Sequence, residues 1–262
     1  MSIVIPLYER LDLMEQQLAQ FALDSGMQCV EITYVLDSPE LADSLRDMAR
    51  QLHDLYQIPF RVAFLKRNVG FAGANNAAVS LATGRLLLLL NSDVFPADNG
   101  WVGRMKAFYD ATPRIGALGV KLLYEDDTLQ HAGLYFRREH RAAVWENQHY
   151  FKGLERTFRS ANTARKVPGV TGACLMISRA LYLGQGGLRG MYVRGDYEDS
   201  DLCLRLLTSG YDNWYLPDVE LYHLEGQSYG WTDRSRASRY NAWMHTRLWN
   251  DVIEAAMARF GS

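Results

Sequence analysis

The chain has 262 residues, 48% of them hydrophobic and 22% charged, a globular balance that excludes disorder, collagen and coiled coil. Twenty-eight basic against 30 acidic residues leave a net charge of −2, so no global basic field recruits nucleic acid. The three cysteines, Cys29, Cys174 and Cys203, lie far apart without a CxxC, which argues against a disulfide framework or a zinc site and fits a reducing, cytoplasmic compartment. No apolar run exceeds Leu86–Leu90, far short of the roughly 20 residues that span a bilayer. The N-terminus enters Ile3-Val4-Ile5-Pro6 at once, without a signal peptide, as expected of a domain excised from a longer protein.

The first part alternates cleanly. Ser2–Ile5 reads as a buried strand closed by Pro6, and Leu11–Leu23 carries apolar residues at helical spacing. Val30–Leu36 is a strand ending at Asp37, and Pro39–Leu55 a helix with its proline in the first turn. Phe60–Leu65 is a third strand. Phe71–Ala82 is a helix of small residues, for which Gly84 is the expected C-terminal cap. Leu86–Leu90 is apolar on both faces, as in parallel sheets covered on both sides. Strands joined by helices in this way predict an α/β sandwich with a mainly parallel central sheet and helices on both faces.

The remainder is less regular. Trp101–Tyr109 is helical, and Ala117–Leu123 and Leu129–Phe136 are strands. Arg137–Lys166 is polar, aromatic and weakly patterned, and reads as a variable loop beside an acceptor. Val170–Ile177 is apolar, Asp199–Leu207 is a helix stopped by Gly210, and Asn213–Leu216 and Val219–Tyr222 are short strands. From Thr232 the chain is helical and basic, with Arg234, Arg236, Arg239 and Arg247 among Trp243 and Trp249. Residues 232–260 form either a packed helix pair closing the domain or a surface that docks on a membrane or a neighbouring domain.

Ligands of open parallel sheets sit beyond the carboxyl ends of the strands. Here those ends carry Pro6-Leu7-Tyr8, Asp37, Lys66-Arg67-Asn68-Val69-Gly70 and Asn91-Ser92-Asp93. The first turn lacks GxGxxG and no GxxxxGK[ST] occurs, which argues against NAD and P-loop chemistry. Asp93 is either a turn cap or a ligand of a divalent metal shared with phosphates. The glycines of Asn68–Asn76 are either packing devices or an approach to an anion at a helix N-terminus. In Asp196-Tyr197-Glu198-Asp199-Ser200-Asp201, Asp201 has Arg205 one helical turn on and reads as structural. Asp199 points elsewhere, and at a helix start it is expected to stay ionised, as a general base must. His223 is either a structural histidine or, if it faces the Asp93 rim, a ligand.

The ordered set Ile3-Val4-Ile5-Pro6, Asp37, Asn68-x-Gly70-Phe71-Ala72-Gly73-x-Asn75-Asn76, Leu90-Asn91-Ser92-Asp93, Gly172-Ala173-Cys174-Leu175, Glu198-Asp199-x-Asp201-Leu202-Cys203-Leu204-Arg205 and His223, then Gly226 and Ser228, resembles family 2 of the glycosyltransferases, with the GT-A fold. It looks like the bacterial rhamnosyltransferase-like branch that builds cell-surface polysaccharides. The resemblance covers residues 2–230 and implies one glycosyltransferase domain, with 1–93 binding nucleotide, 94–230 taking acceptor and catalysis, and 231–262 a helical segment. It implies a nucleotide-diphosphate-sugar donor, UDP- or dTDP-linked, a glycan or lipid-linked glycan acceptor, Mn²⁺ or Mg²⁺, and work at the inner face of the plasma membrane. By the same similarity Pro6, Tyr8 and Asp37 lie near the base, while Asn68, Gly70, Gly73, Asn75, Asn91 and Ser92 surround nucleotide and phosphates. Gly172 and Ala173 wall the donor sugar, Asp93 and His223 meet the metal, and Asp199 with Glu198 forms the catalytic pair. Three departures stand out: an amide, Asn91, begins the DxD-like motif; Glu9 stands where Asn is common; and Ser38-Pro39-Glu40 follows Asp37. The amide motivates an alternative, a catalytically silent domain that binds nucleotide or a partner. A nucleotidyltransferase would carry a basic, glycine-rich loop after the first strand, which is absent.

Overall fold

The computed structural model describes residues 1–141, 143–193, 195–224 and 231–261, with 231–236 described by their backbone alone. Glu225, Gly226 and Ser228, and the side chains of Arg234 and Arg236, lie outside the described residues. In chain order the elements are β1 (Ser2–Leu7), α1 (Asp12–Ala22), β2 (Glu31–Leu36), α2 (Ala42–Tyr56), β3 (Phe60–Phe64), α3 (Gly70–Leu81), β4 (Leu86–Leu90), β5 (Val94–Pro96) and α4 (Trp101–Ala111). There follow β6 (Ile115–Leu123), β7 (Leu129–His131), β8 (Leu134–Glu139), β9 (Val144–His149), β10 (Arg165–Val167), β11 (Cys174–Ser178), α5 (Arg179–Gly184), α6 (Glu198–Thr208), β12 (Asp212–His223) and α7 (Trp231–Phe260).

One sheet runs β10-β12-β6-β11-β4-β1-β2-β3, with β5 on β12 and β7 on β6. Strands β4, β1, β2 and β3 are mutually parallel, and β11 enters antiparallel between β4 and β6. Strand alternation explains the two cores. Leu86, Leu88 and Leu90 join Ile3 and Ile5 under α1, α2 and α4, where Met14, Phe21, Leu45 and Trp101 pack. Leu87 and Leu89 join Val4 and Val35 on the other face, under Ala74, Ala78 and Val79 of α3 and Leu202 and Leu206 of α6. The five leucines are all buried because they serve both cores. Among the described residues no helix is long and apolar enough to cross a membrane.

The expected elements to β4 are present within a residue or two, except that the helix expected from Pro39 begins as a 3-10 turn over Pro39–Leu41 and becomes α-helical at Ala42. Gly84 has a different task from the cap assigned to it. Helix α3 ends at Leu81 with Ala82 extended, while a Cβ on Gly84 would lie 2.6 Å from the Ser2 nitrogen, so close approach to β1 selects glycine. The strand expected at Leu129–Phe136 divides at Gly133, whose φ of +100° turns the chain from β7 into β8. The loop expected over Arg137–Lys166 is largely ordered: β8 and β9 form a hairpin and β10 edges the main sheet. The two strands expected at Asn213–Leu216 and Val219–Tyr222 are one strand, β12, with a register shift between Leu216 and Glu220. The C-terminal helix pair is a single helix of 30 residues.

Candidate active site

A cleft of about 460 Å³ opens at the carboxyl ends of β1, β2 and β4. Of the residues singled out in the sequence, Pro6, Tyr8, Asp37, Asn91, Ser92 and Asp93 line its first side. Gly172, Ala173, Glu198, Asp199 and His223 line the other. Asn68, Gly70, Gly73 and Asn75 do not line it, and Phe71 and Ala74 present α3 to the cleft instead. Asn75 is buried, donating to the Phe71 carbonyl at 2.9 Å, and Gly73 is small because a Cβ there would meet the Val69 side chain at 2.7 Å.

Asp37, 4% exposed, clasps the turn before α3: its two oxygens accept from Val69 N–H at 2.7 Å and Gly70 N–H at 2.9 Å. The anion at this helix start is thus the protein's own carboxylate. Burial pushes Asp37 up from the usual carboxylate value, and those two amides pull against it. Each oxygen accepts one of these bonds and keeps a second lone pair.

Asp93 and His223 are far apart in sequence but adjacent through the sheet. Val94 of β5 pairs with His223 of β12, and Leu224 N–H donates to the Asp93 carbonyl at 3.0 Å. The side chains meet with His223 Nε2 at 3.3 Å from Asp93 Oδ1. The other ring nitrogen, Nδ1, lies 2.5 Å from Gln130 Oε1, and Gln130 Nε2 donates to the His223 carbonyl at 3.0 Å. With Nδ1–H donating to Gln130 Oε1, the neutral ring presents the Nε2 lone pair to the Asp93 carboxylate. Asn91 Oδ1 nearby is buried without a hydrogen-bond partner. Acceptors that confront one another in this way fit a hard or borderline cation such as Mg²⁺ or Mn²⁺, with further ligands from diphosphate and water. No cluster of three or more His, Cys, Asp or Glu side chains with metal-binding geometry occurs among the described residues.

On the far side, Asp199 begins α6. Its Oδ2 accepts from Gly172 N–H at 2.8 Å and its Oδ1 from Ser200 N–H at 2.7 Å. Burial raises it to about 6, against those two amides, so it is largely ionised at neutral pH but only just. The helix start led to the expectation of an ionised carboxylate; desolvation nevertheless raises its value. Glu198 is 4% exposed with Oε2 unpartnered, and burial together with the Asp199 charge holds it well above the usual value. Asp201 is structural as expected: Arg205 Nε donates to it at 2.8 Å, as do Trp249 Nε1 at 2.8 Å and Tyr192 Oη at 3.1 Å.

Several cleft residues were not read from the sequence: Gln130, Asn147, His149, Tyr197 and Ser238. Asn147 and His149 come from the hairpin read as loop. His131 Nδ1 lies 2.9 Å from His149 Nδ1, and burial and that neighbour hold His131 well below the usual imidazole value. Val144–His149 runs from two apolar residues into four polar ones, without the alternation that marks a strand.

The family described as Glycosyl transferase family 2 matches residues 2–183. "Uncharacterized protein y4gI" of Sinorhizobium fredii is 33% identical over 173 residues, 64% of this chain and 18% of that protein. The O-antigen biosynthesis protein RfbC of Myxococcus xanthus is 30% identical over 161 residues, 60% of this chain and 12% of that protein. The chain thus spans less than a fifth of the length of these curated relatives. GalNAc-T7 with UDP, GalNAc and Mn²⁺ matches 97% of this chain and 48% of its own at TM-score 0.71 and 15% identity. The mannosyltransferase PcManGT from Pyrobaculum calidifontis, with GDP-Man and Mn²⁺, matches 100% of this chain and 75% of its own at TM-score 0.59 and 16% identity. S. aureus TarS with UDP-GlcNAc matches 87% and 59% at TM-score 0.57 and 16% identity. At these identities the likeness concerns the fold, which is the GT-A fold expected.

Proposed function

Because the chain belongs to glycosyl transferase family 2, we propose that it moves a sugar, with inversion, from a UDP- or dTDP-linked donor to a hydroxyl of a glycan or lipid-linked glycan. The setting is cytoplasmic assembly of a bacterial surface polysaccharide. The similarity to an O-antigen biosynthesis protein supports that setting, and the neighbours holding UDP, UDP-GlcNAc and Mn²⁺ support donor and cation. One observation carries the reading: Asp199, raised to about 6, shares a cleft with the facing pair Asp93 and His223.

Pro6, Tyr8 and Asp37 flank the base, and Gly172 and Ala173 wall the donor sugar. Asp93 and His223 would hold Mn²⁺ or Mg²⁺, which when bound offsets the charge of the diphosphate. Asp199 accepts the proton of the acceptor hydroxyl while that oxygen bonds the anomeric carbon. The bond from that carbon to the diphosphate oxygen breaks, and the nucleoside diphosphate leaves on the opposite face. A base near the working pH suits proton transfer, which typically contributes about 10²–10⁴-fold. Orientation in the cleft supplies much of the rest.

The test is a thermal-shift panel of UDP, dTDP, GDP and CDP, each with and without Mn²⁺. Stabilisation by UDP or dTDP that requires the metal is expected, of about 2.7 kcal/mol at 100 times the Kd. A flat panel on folded protein overturns the donor site and leaves a silent domain.

A further inference from the structure

The family match ends at residue 183, and α7 lies wholly beyond it. Its inward face nevertheless meets the segment that carries Asp199. Asn241, His245 and Trp249 stand one turn apart on that face. Trp249 reaches Asp201, and His245 Nε2 lies 3.1 Å from Ser200 Oγ. Asn241, 0% exposed, makes four bonds to the main chain leading into α6. Its amide nitrogen donates to the carbonyls of Val193 at 3.0 Å, Gly195 at 2.8 Å and Asp196 at 3.3 Å. Its oxygen accepts from Val193 N–H at 2.9 Å. The opposite amide orientation would set oxygen against three carbonyls, so the chemistry fixes this one.

The chain held in this way is costly to hold. Gly195, Asp196 and Tyr197 follow one another at φ +84°, +69° and +77°. Two of the three are not glycine, and such backbone persists only where its surroundings over-determine it. Tyr197 is the N-cap position of α6 and has no side-chain cap bond, so the start of the helix depends on neighbours. Asn241 satisfies the turn as a neighbouring strand would, and Glu198 and Asp199 follow directly.

We propose that Asn241 is a positioning residue for the base: it holds the left-handed turn that presents Asp199 to the cleft, so the C-terminal helix takes part in catalysis without touching substrate. The inference rests on Asp199 being the base, and Asp199→Asn in the same assay separates the two: full turnover in that variant sinks the base, whatever Asn241 does.

The measurement is hydrolysis of UDP-glucose, UDP-GlcNAc and dTDP-rhamnose by the whole chain with Mn²⁺, water taking the acceptor's place, alongside amide exchange of residues 195–201. Asn241→Ala is expected to lower kcat on the order of 10²-fold, as for a reacting group misplaced by about 1 Å, with the donor KM unchanged. Water admitted to a loosened turn also moves the acidic limb of the rate profile to lower pH. Asn241→Asp is the sharper variant. It is isosteric but aims carboxylate oxygen at three carbonyls, so it should be worse than alanine, whereas a space-filling role makes it better. Trp249→Phe, which removes the bond to Asp201 and trims the ring that packs beside α6 and under Arg189, should lower Tm while keeping kcat. Amide exchange over 195–201 should rise in Asn241→Ala and not in Trp249→Phe. Unchanged exchange in Asn241→Ala, a loss confined to KM, or an aspartate variant better than alanine overturns the proposal.

Discussion

The two sides of the cleft are held by different means. On the side of β1, β2 and β4 the lining residues sit at strand ends, and main-chain ladders fix them: Pro6 pairs with Val35, and Asn91 N–H donates to the Ala173 carbonyl at 2.9 Å. On the side of α6 the fixing bonds come from side chains distant in sequence, Asn147 and His245 on Ser200 and Asn241 on the preceding turn. A ladder tolerates substitution because every residue except proline offers the same two groups. A side-chain clasp is lost with one residue. The first side should therefore resist point changes in geometry, and the second should not.

Asp199→Asn tests this division most strongly. It should abolish transfer, by about 10²–10⁴-fold or more, and leave the UDP or dTDP shift intact, since donor and base are held separately. In the wild type the rate should fall as pH drops below about 6, where the base takes up its proton. Its stability contribution runs the same way. The folded value, about 6, lies above the reference 3.8, so stabilisation from this group is full below 3.8 and lost as pH rises through 6. The Tm difference between Asp199→Asn and wild type should then move in favour of the variant from pH 4 to pH 7; a constant difference contradicts the raised value.

Asp93→Ala comes next. The metal-dependent part of the nucleotide shift should vanish, while any metal-independent part survives; an unchanged Mn²⁺ titration would remove Asp93 from the site. Gln17→Leu tests the exception on the first side. Gln17 is buried and donates to the carbonyls of Asn91 at 2.8 Å and Val94 at 2.9 Å, a side-chain clasp among ladders. Removing those two bonds, and the one that Gln17 accepts from Tyr34 at 3.3 Å, should cost about 1–3 kcal/mol by denaturant unfolding and weaken Mn²⁺ binding. The smallest effect belongs to Arg46→Ala, whose exposed pair with Asp43 should be worth within about 0.5 kcal/mol.

The same division explains what could be read in advance. Leu86–Leu90 followed by Asn91-Ser92-Asp93 announces both a buried strand and the residues at its end, because periodicity and position fix them together. Asp199 is legible for the related reason that it begins a helix, though not its raised value, which burial sets against the pull of the Gly172 and Ser200 amides. Gln130 and Asn241 are not legible. Nothing local marks an amide in a strand or a helix as the partner of a residue 93 or 48 positions away. The hairpin β8–β9 escaped because its exposed face is polar and aromatic and its turn carries no Asn-Gly signal.

The bond between Asn91 and Ala173 extends the β4–β11 ladder to the strand end that carries Asp93 and makes one plate of main-chain bonds. The hairpin is not part of that plate. It forms its own two-stranded sheet and meets the rest chiefly through side chains, among them Phe136 against Leu204 and Ile253, and Trp145 on Asn250. Its side chains can therefore change without breaking the main-chain bonds of the plate, except Asn147, whose amide donates to Ser200 Oγ at 2.9 Å and so helps to fix the start of α6. Under the proposed function, a substitution in the hairpin would alter the choice of acceptor before it altered the handling of the donor.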